Sequence, residues 1–125
     1  MTDEQIELAR RAVACRGWRW MRGMSNNKGQ TIDCVFEDIG TAYCGEIDAD
    51  MNALPDLTDP ATLGCLLALV REAMGDHRIC VCWDFVNEMW VCEGAFEYNG
   101  NKYLGLIKEA QSYAEALVLT LEDAP

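Results

Sequence analysis

The chain predicts an α+β domain, an antiparallel sheet or pair of sheets covered by three helices in the order α-βββ-α-ββββ-α. Three observations carry this reading. Leucines recur at helical spacing after Pro60, a capping box opens at Ser112, and the stretches between helices alternate apolar and polar residues across turn signals. A length of 125 residues, half of them hydrophobic, gives one domain spanning 1–125 and leaves no room for two ordinary ones.

The first helix is expected over residues 3–14, capped by Thr2 or Asp3, with acids in its first turn and Ile6, Ala9 and Val13 as its core stripe. Gly17 ends it. Residues 18–22 alternate tryptophan or methionine with arginine, as a half-buried strand does. Trp and Arg in this pattern could stack on unpaired bases, but against an acidic remainder the expectation is that Trp18 and Trp20 face the core while Arg19 pairs with surface acids. Ser25 to Gly29 form a turn, and strands are expected over 31–36 and 41–47 with a second turn between them.

The clearest element follows. Thr58 or Asp59 caps a helix with Pro60 in its first turn, Leu63, Leu66, Leu67, Val70 and Met74 line it, and Gly75 closes it. It is apolar around much of its circumference, which places it centrally. Residues 78–85 and 89–92 read as a hairpin joined through Val86, Asn87 and Glu88. A further pair, 95–98 and 103–107, is joined by Asn99-Gly100. Ser112 and Glu115 form the capping box of the last helix, whose stripe is Ala114, Leu117, Val118 and Leu121. Tyr43-x-Gly45-x-Ile47 recurs as Tyr103-x-Gly105-x-Ile107, each ahead of a leucine-rich helix, which suggests a drifted internal duplication.

Composition narrows the setting. The N-terminus lacks the basic and apolar regions of a secretory signal, and the longest apolar run is too short for a membrane span. Seven cysteines without such a signal imply reduced thiols and a cytoplasmic location. Net charge is −11, yet residues 1–28 hold six of the ten basic side chains against three acids, so the remainder is strongly acidic. Such a surface repels nucleic acid and suits a basic protein partner.

Candidate chemistry is sparse. Cys80-Val81-Cys82 places two thiols on one strand face, with Cys92 on the neighbouring strand and His77 or Asp84 as further donors, a set that could approach tetrahedral zinc or serve a thiol enzyme. The turn-borne Cys-x-x-Cys knuckle is missing, and core packing is the competing use. Glu46, Asp48 and Asp50 would share one face if their strand ran on, as an acidic edge or a partner contact. No phosphate-cradling loop, nucleotide fingerprint or nucleophile-elbow motif occurs, so no cofactor is expected.

Three blocks carry a resemblance: 15–24 (CRGWRWMRGM), 53–73 (ALPDLTDPATLGCLLALVREA) and 113–125 (YAEALVLTLEDAP). Together they resemble small uncharacterised proteins of tailed bacteriophages and prophages, departing from them at Arg22, where a proline is expected. The resemblance implies a viral setting and brings no catalytic residues. The expectation is a non-enzymatic, phage-type accessory protein that binds another macromolecule, in its sharper form an acidic inhibitor of a host protein. The alternatives are the Cys80/Cys82/Cys92 enzyme and a virion or homo-oligomeric component.

Overall fold

The computed structural model describes residues 2–36, 41–44, 47–48 and 53–125. Within them the elements are α1 (Asp3–Val13), β1 (Cys34–Phe36), β2 (Thr41–Cys44), β3 (Ile47–Asp48), α2 (Pro60–Met74), β4 (Cys80–Asp84), β5 (Met89–Tyr98), β6 (Asn101–Ala110) and α3 (Tyr113–Glu122). The α+β class holds, with two antiparallel three-stranded sheets, β1-β2-β3 and β4-β5-β6. Three strands, not four, follow α2.

Each helix starts where a side chain can satisfy its orphan amides. Thr2 accepts from the Gln5 amide while Gln5 Oε1 accepts from the Thr2 amide, closing a capping box on α1. Asp59, rather than Thr58, caps α2, accepting from the Thr62 amide at 2.9 Å, and Gly75 ends that helix in the left-handed conformation at φ 65°. Ser112 caps α3 by accepting from the Glu115 amide.

The core gathers on α3. Ala114, Ala116, Leu117, Val118, Thr120 and Leu121 are all buried, and the helix touches α1, α2 and each strand of the β4-β5-β6 sheet. Across this core lie Ala9 and Ala12 of α1, Leu66 and Val70 of α2, and Cys92 of β5. The buried face of α1 is therefore set by Ala9 and Ala12, while Val13 is turned partly to solvent. Alanines there let α1 come close, and the gap is closed further by Gly17, whose hypothetical Cβ would lie 2.9 Å from Leu121 Cδ1 and 3.0 Å from the Ala73 Cβ.

The second side of α2 explains why residues 18–22 are not a strand. Leu69 packs there on Met24 and Ile32, with Trp18, Trp20, Met21 and Cys65 around them. The alternation of 18–22 comes from an irregular chain laid over a helix, its tryptophans edge-to-face at 5.6 Å. Arg19 meets Glu72 at 2.7 Å. The turn beyond is tightly bonded: the Ile32 amide donates to the Met24 carbonyl and the Gly23 amide to the Ile32 carbonyl, both at 2.8 Å, and Asn26 Oδ1 accepts from the Lys28 and Gln30 amides. Ser25 and Thr31 form an isolated bridge, so the expected strand 31–36 shortens to β1.

Residues 41–47 do not make one strand either. β2 and β3 run antiparallel, Tyr43 pairing with Asp48 and Cys44 with Ile47. Tyr43 and Ile47 thus belong to two strands, whereas Tyr103, Gly105 and Ile107 share β6, so the matched motifs occupy unlike positions. Gly45 itself lies outside the described residues.

After α2 the expected break between 89–92 and 95–98 is absent, and β5 is continuous through Gly94. Gly94 is there for close approach: a Cβ would sit 2.6 Å from Ile107 Cδ1. A bulge in the pairing at Cys92/Glu93 brings Ile107 over it. β5 extends past the end of β4, and the Asp76 carboxylate takes over there, accepting from the Ala95 amide at 2.8 Å. That bond and one from the Arg78 amide hold the Asp76 carboxyl below its usual range. Asn99 and Gly100, both at positive φ, turn β5 into β6.

Truncating Leu117, fully buried at the centre of α3, should cost about 2–5 kcal/mol of unfolding free energy. Truncating Leu106, 56% exposed on the sheet, should change it by less than about 0.5 kcal/mol. Denaturant titration of Leu117→Ala and Leu106→Ala measures both.

Candidate protein-docking site

The β4–β5 hairpin divides its side chains between two surfaces. Directly opposed residues in an antiparallel pair share a face. Val81 with Cys92 and Trp83 with Trp90 therefore look toward α3, and Cys80 with Glu93 and Cys82 with Val91 look away from it. On the inner face Trp90 stands edge-on to both Trp83, at 5.4 Å, and Tyr113 of α3, at 5.6 Å. Cys92 is completely buried there, its thiol beside Thr120 of α3.

This register separates the proposed cysteine set. Cys80 and Cys82 share the outer face as expected, but Cys92 belongs to the inner one, and His77 sits exposed in the turn after α2. Among the described residues no group of three or more histidines, cysteines, aspartates or glutamates could hold a metal ion. The thiols at Cys15, Cys65, Cys80, Cys82 and Cys92 are free. Cys92 is pushed up by burial. Cys82 is also raised, first by desolvation of its sulfur and then by the charge of Glu93, to which it hydrogen-bonds. A thiol held protonated in this way is a poor nucleophile at neutral pH.

Of the acidic trio, Asp48 lies in β3 opposite Tyr43, on a separate strand from β2. Glu46 and Asp50 lie outside the described residues.

The feature that sequence reasoning missed is the tip of the hairpin. Residues 85–88 form a four-residue turn, and Phe85 and Val86 are 85% and 90% exposed. The turn is held from behind. Asp84 Oδ1 accepts from the Val86 amide at 2.9 Å and the Asn87 amide at 3.3 Å, and Asp84 Oδ2 accepts from Asn87 Nδ2 at 2.8 Å. These bonds keep the Asp84 carboxyl well ionised. Glu88 closes the turn at φ 53°. Two large apolar side chains are thus presented on a backbone whose conformation is already set, with Trp83 partly exposed beside them. An Asp and an Asn enclosing two consecutive apolar residues is the signal in the sequence, since turn chemistry and hydrophobicity conflict there.

The outer face next to the tip mixes apolar and acidic groups. Cys82 and Leu106 are exposed, Val91 is covered, and Glu93 and Glu109 sit among them by register with Leu106 and Val91. A separate surface cleft of about 600 Å³ opens where α1, α2 and α3 end, lined by Arg11, Cys15, Arg16, Gly17, Ala73, Leu121 and Glu122. Its polar wall is occupied internally: Arg11 Nη2 donates to Glu122 Oε1 at 2.6 Å and Arg11 Nε to Glu122 Oε2 at 3.2 Å, tying α1 to α3. Cys15 Sγ donates to the Arg11 carbonyl.

No helix among the described residues is long and apolar enough to cross a membrane. The chain matches no known family model, no characterised protein and no solved structure.

Removing the charge beside Cys82 should release its thiol. In Glu93→Gln the alkylation of Cys82, followed by peptide mass mapping, should begin at lower pH and run faster at neutral pH than in the parent chain. An unchanged profile would mean that Glu93 does not govern this thiol.

Proposed function

We propose that this chain is a protein-binding accessory factor, of the phage type suggested by its sequence blocks, which docks through the Phe85–Val86 tip. One observation carries the reading: two large apolar side chains stand almost fully in water on a turn held in place by three hydrogen bonds that one carboxylate accepts. Isolated exposed apolar residues are ordinary, but two neighbours on a preset turn are suited to fill a pocket, because little conformational freedom is lost on docking.

The chemistry around the tip supports a basic partner. Asp84 and Glu88 flank it, and Glu93 and Glu109 lie on the adjoining face of a chain with net charge −11. The matching surface is an apolar slot rimmed by lysine or arginine. Complementary charge would orient the encounter and speed it, while Phe85 and Val86 would supply the affinity. A host protein with such a basic groove would be blocked by occupancy, which is the inhibitor form of the reading.

Affinity capture from bacterial lysate tests this with Phe85→Ser/Val86→Ser as the comparison. Both side chains are exposed, so the thermal unfolding of the double variant should match that of the parent. The captured basic protein should bind the variant about 30-fold or more weakly, as two anchor residues imply, and should leave the parent chain as salt rises. A captured partner that holds the variant equally well, or a contact indifferent to salt, contradicts the proposal.

A further inference from the structure

The two outer strands of the β4-β5-β6 sheet are protected very differently. β6 carries Lys108, ion-paired to Asp123 just past α3, and takes part in the bulged pairing with β5; a charged side chain and a bulge both discourage a further strand from adding. β4 reads Cys80-Val81-Cys82-Trp83-Asp84, with no lysine, no proline and no bulge. Its edge away from β5 takes no backbone partner from any described residue. Its single charge, Asp84, stands at its end.

We propose that β4 pairs antiparallel with β4 of a second copy of this chain, about a twofold axis through Cys82, joining two three-stranded sheets into one of six strands. Strand length sets the register, because a twofold on the central residue is the one arrangement that pairs all five. Val81 then stands opposite the partner's Trp83, and Trp83 opposite the partner's Val81, giving apolar cross-strand pairs on the inner face. Asp84 stands opposite the partner's Cys80, so no like charges meet along the seam. The contact uses the same edge on both copies and closes on itself, so it makes a dimer and not a fibre. It sets one Phe85–Val86 tip at each end of the seam, beyond the five paired residues.

Charge gives this contact a signature of its own. Each copy carries −11, so two copies repel at long range and screening favours their association. Salt should therefore strengthen the dimer, whereas it weakens a contact with a basic partner. The opposite response to salt separates self-pairing from docking on a basic partner.

The test uses the full chain in reducing buffer, with mass in solution followed by sedimentation over the micromolar range at low and moderate salt. Cys82 is exposed, so Cys82→Lys and Cys82→Glu should fold as the parent does, which circular dichroism checks. The parent should pass from monomer to dimer with concentration, more readily at moderate salt. Each variant alone places like charges directly opposite on the axis and should need about tenfold higher concentration to dimerise. An equal mixture of the two should recover the dimer, because opposite charges then face each other. A parent chain that stays monomeric throughout, or a dimer whose stability ignores both substitutions and their mixture, overturns the proposal.

Discussion

Burial of α3 is the constraint on which the other contacts depend. Six of its ten residues are buried, and they touch α1, α2 and all three strands of the β4-β5-β6 sheet. Without it the apolar faces of α1 and α2 and the inner face of the sheet would have no common surface. Small side chains tune the distances: Ala9 and Ala12 on α1, Ala114 and Ala116 on α3, and Gly17 against Leu121. Thr120 is buried without cost because its hydroxyl donates to the Ala116 carbonyl at 2.8 Å. Arg11 and Glu122 add a half-exposed clasp between α1 and α3, worth at most about 1 kcal/mol.

This arrangement gives the sheet one packed face and one open face. One face is committed to α3 through Cys92, Trp90 and Ile107. The other face and the tip that continues from it keep exposed apolar groups among carboxylates. The same division distributes the thiols. Cys92 is a core side chain whose truncation would leave a hole beside Thr120, while Cys80 and Cys82 occupy the outer face.

How much of this was legible in the sequence depended on whether the signal was local. α2 was readable to the residue at its end, because Pro60 and Gly75 act through backbone geometry alone. The Asn99-Gly100 turn was readable for the same reason. Residues 18–22 misled because period-two alternation does not distinguish a strand from a chain draped over a helix, and only Leu69, Met24 and Ile32 decide between them. Gly94 misled in the opposite direction: it resembles a break until Ile107 is seen packed above it. The cysteine set failed as a cluster because sheet register, which sequence spacing does not reveal, put Cys92 behind its neighbours. The exposed turn is legible only as two apolar residues between Asp84 and Asn87, because strand periodicity over 78–85 takes Phe85 into the strand and leaves Val86 in its loop.

Native-state hydrogen exchange tests the central role of α3 most directly. If this helix is the common surface of the core, the amides of Leu117 to Leu121 should exchange only through global unfolding, with the same free energy as those of Val91 and Cys92 in β5. The turn amides at Phe85 and Val86 should exchange far sooner. If the α3 amides instead opened at a markedly lower free energy while β5 stayed protected, the sheet would be stable without the helix, and α3 would not be the common surface of this core.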